Sequence, residues 1–418
     1  MTDAQVIIVG GGPAGASTAY FLARAGVDVL VLERARYPRD KTCAEYLSPQ
    51  ASRVLAAMGA LDRVDAAGAA HLAGMIVRAP SGALIHGEFA AGHGFRGFRD
   101  SGLAIRRRLL DEILIRRAQD AGVRLREGVR VTGLATNGRG HVTGVELLDA
   151  GGGTEQLRAP LVIGADGLRS VVARRLGLAR TRRWPRRVAF VAHYRGLAMG
   201  ACGEMHVERD GFVGLADVGG GLTNVAMVVP QSALAGLEGD RTGFMERWLL
   251  SKPQLAPRIA AAERATPVRA VGPFAQHARR AWAPGAALVG DAADFFDPFT
   301  GEGIYAGLRG GELLAPFAAE AARSRTPADA ERTLRAYETA RRREFGGKWV
   351  VERMVGTSVA HPLLINQAAR VLSRRKDMAD LLVGVTGDFV PAGEVLRAGY
   401  LLRLFNPLSG RHRAPAGS

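Results

Sequence analysis

The chain has 418 residues, 47% of them hydrophobic and 23% charged, with 54 glycines and a net charge of +16. That balance excludes a disordered or fibrous chain, and the length asks for two or three packed domains rather than one small core. The sequence has no basic leader and no apolar run long enough to span a bilayer, and the cysteines Cys43 and Cys202 form no disulfide framework, so a soluble, cytoplasmic enzyme is expected.

Only four of the 56 basic residues are lysine. With so much Ala and Gly beside it, this arginine bias fits GC-rich coding, and no nucleic-acid-binding pattern accompanies it, so no nucleic-acid partner is expected. Membrane association stays open, because RVLSRRKDM and AGYLLRLF mix basic and apolar turns near the C-terminus.

QVIIVG predicts a strand, GGGPAGASTAYFLARAG a helix with Pro13 just inside its start and Gly26 just past its end, and VDVLVLE a second strand. Around Pro13 and Ala14, Gly10, Gly12 and Gly15 form G-x-G-x-x-G, which permits a tight turn and lets a pyrophosphate approach the free N–H groups of the helix start. Glu33 ends the second strand about 20 residues on, where a carboxylate accepts ribose hydroxyls. This βαβ unit predicts dinucleotide binding.

The next stretch, YPRDKTCAEYLSP, puts Cys43 in a loop rich in Pro and charge. Arg39 and Lys41 would lower the thiol's pKa if close to it; otherwise Cys43 is a small packing residue. A helix is predicted with Leu109, Leu110, Ile113, Leu114 and Ala118 on its apolar face and Gly122 as its stop. Arg107 at its start is placed for a bidentate pyrophosphate contact, with Arg106 and Arg108 as alternatives.

APLVIGADGLRS predicts a buried strand that breaks at a turn containing Asp166 and leads into a helix capped near Ser170. From about Val188 to Arg269, apolar and polar residues alternate between Gly turns, which predicts an antiparallel sheet able to roof a cofactor and form a substrate cavity. His193, Tyr194, Glu204 and His206 are its titratable candidates for a proton donor, and Cys202 reads as packing. A further strand, Ala286–Val289, leads through Gly290 and Asp291 and a loop with Pro298 to Gly301 and Gly303, which open a long helix whose N-terminus favours negative charge on a bound ring. From Pro327 the pattern is helical.

These junctions predict an α/β fold with one discontinuous Rossmann-like domain (1–75, 101–180 and 271–326), an antiparallel β-sheet substrate domain (76–100 and 181–270) and a C-terminal helical region (327–418). No metal constellation is present, and nothing fixes the oligomeric state. No second G-x-G-x-x-G follows another strand, so NAD(P)H or another reductant would bind transiently.

The combination of GGGPAG with Glu33, PRDKTC, GADG and GDAADFFDPFTGEGI resembles the geranylgeranyl reductase family of FAD-dependent oxidoreductases, within the para-hydroxybenzoate-hydroxylase-like fold. The resemblance runs nearly end to end, through LLVGVTGDFVP. It implies that Gly10, Gly12, Pro13, Ala14, Gly15, Glu33 and Arg34 bind the ADP half of FAD, with Arg107 and Asp166 beside the cofactor. Gly290 and Asp291 would contact its ribityl or pyrophosphate portion, and Pro298, Gly301, Gly303 and Ile304 would line the isoalloxazine. Cys43 would lie at the flavin, with Cys43, Glu45 and Tyr46 as candidate catalytic residues.

Flavin aromatic hydroxylases continue the GD motif with His and G-Q-G, which this chain lacks. Halogenases carry W-x-W-x-I-P, and none of Trp184, Trp248, Trp282 and Trp349 sits in one. Two departures from the reductase pattern stand out. Ala44 and Glu45 follow Cys43 where the family reads Cys-Gly, and the substrate pattern P-x-x-Y-x-W-x-x-P falls on RDGFVGLAD, with Phe212 for Tyr and Gly214 for Trp. A wider substrate pocket is therefore expected, lined by His193, Glu204, His206, Phe212 and Gly214. The implied activity is hydride transfer from reduced flavin to a C=C bond of a hydrophobic prenyl or polycyclic natural-product intermediate. The alternative is a monooxygenase or oxidase tailoring a polyketide-like secondary metabolite.

Overall fold

The computed structural model describes residues 2–405 except 150, 182–185, 236, 238 and 296, so Trp184, Phe296 and the last stretch of the tail lie outside the described residues. A six-stranded sheet runs in the order Trp282–Ala283, Ala286–Leu288, Leu161–Gly164, Val6–Val9, Val29–Glu33 and Arg124–Glu127, parallel throughout except for its first strand. Val6–Val9 and Leu161–Gly164 are buried on both faces, as their unbroken apolar runs require. The mixed α/β architecture follows, with the glycine turn, Gly164 and Gly290 at the carboxyl edge of one sheet.

Helix Pro13–Arg24 lies against helix Gly303–Arg323 through small residues. The Ser17 hydroxyl donates to the Leu308 carbonyl at 2.7 Å, and a Cβ on Gly311 would stand 2.6 Å from the Thr18 backbone nitrogen. This close approach brings two helix N-termini to the same sheet edge. On helix Arg107–Asp120 the buried stripe is Arg107, Leu110, Asp111, Leu114, Ile115 and Ala118. Leu109, expected inside, is instead 38% exposed, because the helix turns a charged pair, Arg107 and Asp111, toward the core.

The second sheet has eight strands. Seven run in the order Glu263–Arg264, Arg187–Arg195, Leu222–Pro230, Gly211–Asp217, Gly203–Glu208, Gly74–Arg78 and Leu84–Glu88, and Arg269–Val271 also pairs with Arg187–Arg195. It departs from the purely antiparallel expectation at one seam, where Gly203–Glu208 pairs parallel with Gly74–Arg78, because two hairpins from distant parts of the chain join edge to edge. Its period-two pattern sorts the side chains. Ala189, Val191, Met205, Phe212, Ala226 and Val228 share one face, while Phe190, Ala192, Tyr194, Val213 and Met227 pack on Trp248 and Leu249 behind it.

Helix Pro327–Ala360 starts at the Thr326 cap, whose side chain accepts from the Asp329 N–H, and ends where Pro362 begins the next helix. It packs along Gly303–Arg323 and closes the space between the two sheets. No described helix is long and apolar enough to cross a membrane.

The contact at Gly311 carries the first prediction. Gly311→Ala puts a methyl against rigid backbone and should cost about 1–3 kcal/mol, read as a lower midpoint in thermal unfolding. An unchanged midpoint would mean that the two helices separate freely.

Candidate functional site

A single cleft runs from the glycine turn, past the start of helix Gly303–Arg323, to the apolar face of the large sheet. At the turn, Gly10 has φ +98°, and a Cβ there would lie 2.6 Å from the Ala165 carbonyl oxygen. A Cβ on Gly15 would collide with the Gly10 carbonyl, so helix and strand can meet only as glycines. Gly12 is different. A Cβ there would face open space, with the guanidinium Nη2 atoms of Arg39 and Arg107 at 3.7 and 3.8 Å. No side chain caps this helix start, so its N–H groups face the same space.

The buried Asp111 carboxylate holds both arginines. It accepts from Arg107 Nε and Nη2 at 2.6 and 2.7 Å and pairs with Arg39 Nη1 at 2.9 Å. Arg39 also lies 3.5 Å from Glu33, whose carboxylate accepts the N–H groups of Gly11 (2.9 Å) and Ala35 (3.0 Å). The Tyr37 hydroxyl donates to the Gly11 carbonyl. Burial works against the Arg107 charge, but Asp111 and Cys43 beside it raise its pKa above the ordinary value. Lys41 lines the cleft near Asp291 and Arg107; burial, and then Arg107, lower its pKa, while burial raises that of Asp291 against the pull of Lys41.

Glu45 is the hub of the middle section. It is 3% exposed and sits at φ +62°, a conformation that costs a non-glycine residue about 1–2 kcal/mol. Its carboxylate accepts from the Arg107 backbone N–H at 2.7 Å and from Asn224 Nδ2 at 3.0 Å, and it meets His193 Nε2 at 2.7 Å. Asn224 Nδ2 also donates to the Cys43 carbonyl, and the Glu45 N–H reaches Cys43 Sγ at 3.3 Å. Four chain segments thus close on one carboxylate, which holds Cys43 and Ala44 against the cleft. Tyr46 follows, its ring packed so closely on Gly301 that a Cβ there would lie 2.9 Å from Cδ1.

Pro298, Gly301, Gly303 and Ile304 line the cleft where helix Gly303–Arg323 begins. Asp297 caps the preceding turn through the Phe299 N–H and pairs with Arg187; burial raises its pKa despite that partner. Beyond lies the apolar chamber. Phe212 meets Phe299 edge-on at 5.0 Å, and a Cβ on Gly214 would meet only the flexible Met205 side chain, 3.0 Å from its sulfur.

Most of the residues singled out from sequence converge on this cleft: Gly12, Pro13, Ala14, Cys43, Glu45, Tyr46, Arg107, Glu204, Phe212, Gly214, Gly290, Asp291, Pro298, Gly301, Gly303 and Ile304. Gly10, Gly15 and Glu33 shape the turn behind it. Others are placed elsewhere. Arg34 is exposed and lies off the cleft, because its side chain alternates outward from the buried Glu33. Asp166 turns its carboxylate back to accept the Val171 N–H at 2.6 Å, and burial raises its pKa. His206 is buried against Glu204, which Arg258 also holds. Burial opposes the Glu204 charge, but His206 and Arg258 overcome it and bring that pKa to about 2, so Glu204 is not a ready proton donor. His193 reaches the cleft only through Glu45. The neighbour of the Cys43 thiol is Arg107, because Arg39 is spent on Glu33 and Asp111 and Lys41 faces Asp291.

The sequence reading passed over Asp111, Asn224, Glu302 and Glu352. Only Glu302 carried a local signal, its place between Gly301 and Gly303. Among the described residues no His, Cys, Asp or Glu cluster could hold a metal ion. The open Gly12 cradle between two guanidinium groups, the uncapped helix start and the buried Glu33 fit a flavin dinucleotide, with its diphosphate at Gly12 and its ring toward Gly301 and Gly303.

The chain matches the family model described as FAD binding domain over residues 3–350. It is 30% identical over 334 residues to the menaquinone reductase of Mycobacterium tuberculosis, covering 75% of this chain and 76% of that relative. It is 28% identical over 397 residues to digeranylgeranylglycerophospholipid reductase 2 of Methanopyrus kandleri, covering 92% and 93%. The solved structure of the myxobacterial chondrochloren halogenase, a variant FAD-dependent halogenase, matches with a TM-score of 0.78 at 24% identity over 85% of this chain and 83% of that one, a likeness of fold. With this match over most of its length and relatives of these kinds, the chain belongs to the FAD binding domain family and is an FAD-dependent oxidoreductase.

Proposed function

We propose that this protein reduces a C=C bond in a hydrophobic prenyl or polycyclic intermediate. The observation that carries the reading is the continuity of the cleft: the space that begins at the Gly12 cradle opens, past Gly301 and Gly303, onto the sheet face of Ala189, Val191, Met205, Phe212, Ala226 and Val228. A substrate taken up against that face gains from buried apolar area, at about 25 cal/mol per Å². The relatives named for menaquinone and digeranylgeranylglycerophospholipid reduction support the same class.

Bound FAD supplies two-electron redox chemistry. The residues of the chain do the rest. Arg39, Arg107 and the helix start hold the diphosphate, and the start of helix Gly303–Arg323 favours negative charge at the ring. Cys43 and Ala44, fixed by Glu45 and Asn224, form the wall between cofactor and substrate, and the apolar sheet face excludes water. NAD(P)H, or another reductant, would meet the cofactor transiently from solvent.

Anaerobically reduced protein mixed with polyprenyl or polycyclic alkenes should yield products two hydrogens heavier. Products that form only with O2 and carry an added oxygen atom would instead identify a monooxygenase. Cys43→Ala should retain FAD and slow turnover by about tenfold or more; an unaffected rate would return this cysteine to packing. Gly214→Trp should narrow the chamber, sparing slim prenyl chains while raising KM for polycyclic substrates. Unchanged kinetics with both would show that Gly214 does not set the width.

A further inference from the structure

One buried ion pair beside the cleft takes no part in the reaction proposed above. Arg187 opens the strand Arg187–Arg195 and is 6% exposed; Asp297 precedes the short turn Pro298–Thr300 and is 8% exposed. The Asp297 carboxylate uses both oxygens: Oδ2 accepts from Arg187 Nη1, and Oδ1 accepts from the Phe299 N–H at 3.1 Å. The same guanidinium donates through Nη2 to the Gly356 carbonyl of helix Pro327–Ala360 at 3.3 Å, and its carbon lies 5.5 Å from the centre of the Phe212 ring. One side chain thus joins the sheet, the turn and the long helix.

Such a pair is a poor source of stability. Both charges must leave water, and well-packed apolar residues in their place would hold the core about as well. Burial raises the Asp297 pKa even with the guanidinium beside it, which reflects that cost. What the pair fixes is geometry. Phe212, on the chamber face of the sheet, and Phe299, in the turn, both line the cleft and meet edge-on at 5.0 Å, so the two walls touch there. Pro298 and the left-handed Gly301, at φ +72°, leave the turn little freedom, and Gly301 and Gly303 line the end of the cleft that suits the cofactor ring. A shift of Asp297 would therefore carry Gly301 with it.

We infer that Arg187 is a positioning residue: by holding Asp297 and bracing Phe212 it sets the ring end of the cleft against the substrate chamber. The inference rests on the reductase reading, because that reaction depends on alignment. The alkene carbon must lie within near-attack distance of the hydride donor, and a misplacement of about 1 Å can cost about 100-fold in rate. Arg187 does not itself line the cleft, so it acts through the residues it holds. Its planar fork reaches Asp297 and Gly356 at once, which the single ammonium group of a lysine does not reproduce.

Two variants of the holoenzyme test this. Arg187→Lys keeps the charge and loses the fork. Arg187→Met combined with Asp297→Asn removes both charges, so neither is left buried alone, while the Asn oxygen can still cap the Phe299 N–H. Both should hold FAD within about threefold of the wild-type affinity, since Gly12, Arg39 and Arg107 are untouched. In both, the visible absorption and circular dichroism of the bound flavin should change shape. The anaerobic rate at saturating polyprenyl alkene should fall by about 10- to 100-fold, with KM altered by less than about threefold. A wild-type spectrum and rate in either variant would overturn the inference. Loss of FAD, or an effect confined to KM, would also overturn it, because the pair would then serve binding rather than alignment. If the double variant does not fold, Arg187→Lys decides alone, and unfolding of both would make the pair a stability element and nothing more. A wild-type enzyme that adds no hydrogens to the alkene would sink the reductase reading instead, and the flavin spectra would still judge the pair.

Discussion

Asp111 is fully buried, and its carboxylate is gripped by two guanidinium groups. Burying a carboxylate is costly unless it is paired and hydrogen-bonded, and each of its oxygens has such a partner here. What the pairing secures is position. Arg107 belongs to the helix that starts beside the glycine turn and Arg39 to the loop after the second strand, and Asp111 locks both over Gly12 before any ligand arrives. The positive cradle is therefore preorganised, and an incoming diphosphate meets donors already in place.

The cleft that begins there is electrically polar along its length. Lys41 and Arg107 line one end, with Arg39 beside Gly12, and Glu302 and Glu352 line the other. FAD carries its negative charge on the diphosphate, so this asymmetry would favour binding with the phosphates at the cationic end. It also keeps the carboxyls away from the phosphates, where their charge would oppose binding. A ring bound between these ends would lie beside the apolar chamber.

Features encoded by local rules were legible in the sequence. The strand, glycine turn and helix around Gly10–Gly15 announce themselves through period and residue type, and so does the helical pattern from Pro327. What remained hidden depends on contacts between distant segments. Asp111 reads as a polar position on an amphipathic helix, and nothing near it in sequence says that it turns inward. Glu302 reads as an acid favourably placed at a helix start, and Glu352, which lines the same cleft, lies fifty residues away on another helix. The parallel seam between Gly203–Glu208 and Gly74–Arg78 is likewise invisible locally, because strand pairing is decided by which edges meet.

Glu45 shows how the two halves of the site are made to agree. Its backbone is strained at φ +62°, yet its carboxylate gathers the Arg107 N–H from the cofactor side and Asn224 and His193 from the sheet side. Charge-assisted bonds of this kind contribute about 1.5–3 kcal/mol each, enough to offset the backbone strain. Glu45 is thereby one tie between the sheet and the cofactor cradle, beside the Asn224 bond to the Cys43 carbonyl, the Arg187–Asp297 pair and the packing of Phe212 on Phe299. Gly214, whose cross-strand partner Ala226 lies two residues from Asn224, faces the chamber side of that tie, where an added Cβ would meet only the flexible Met205 side chain.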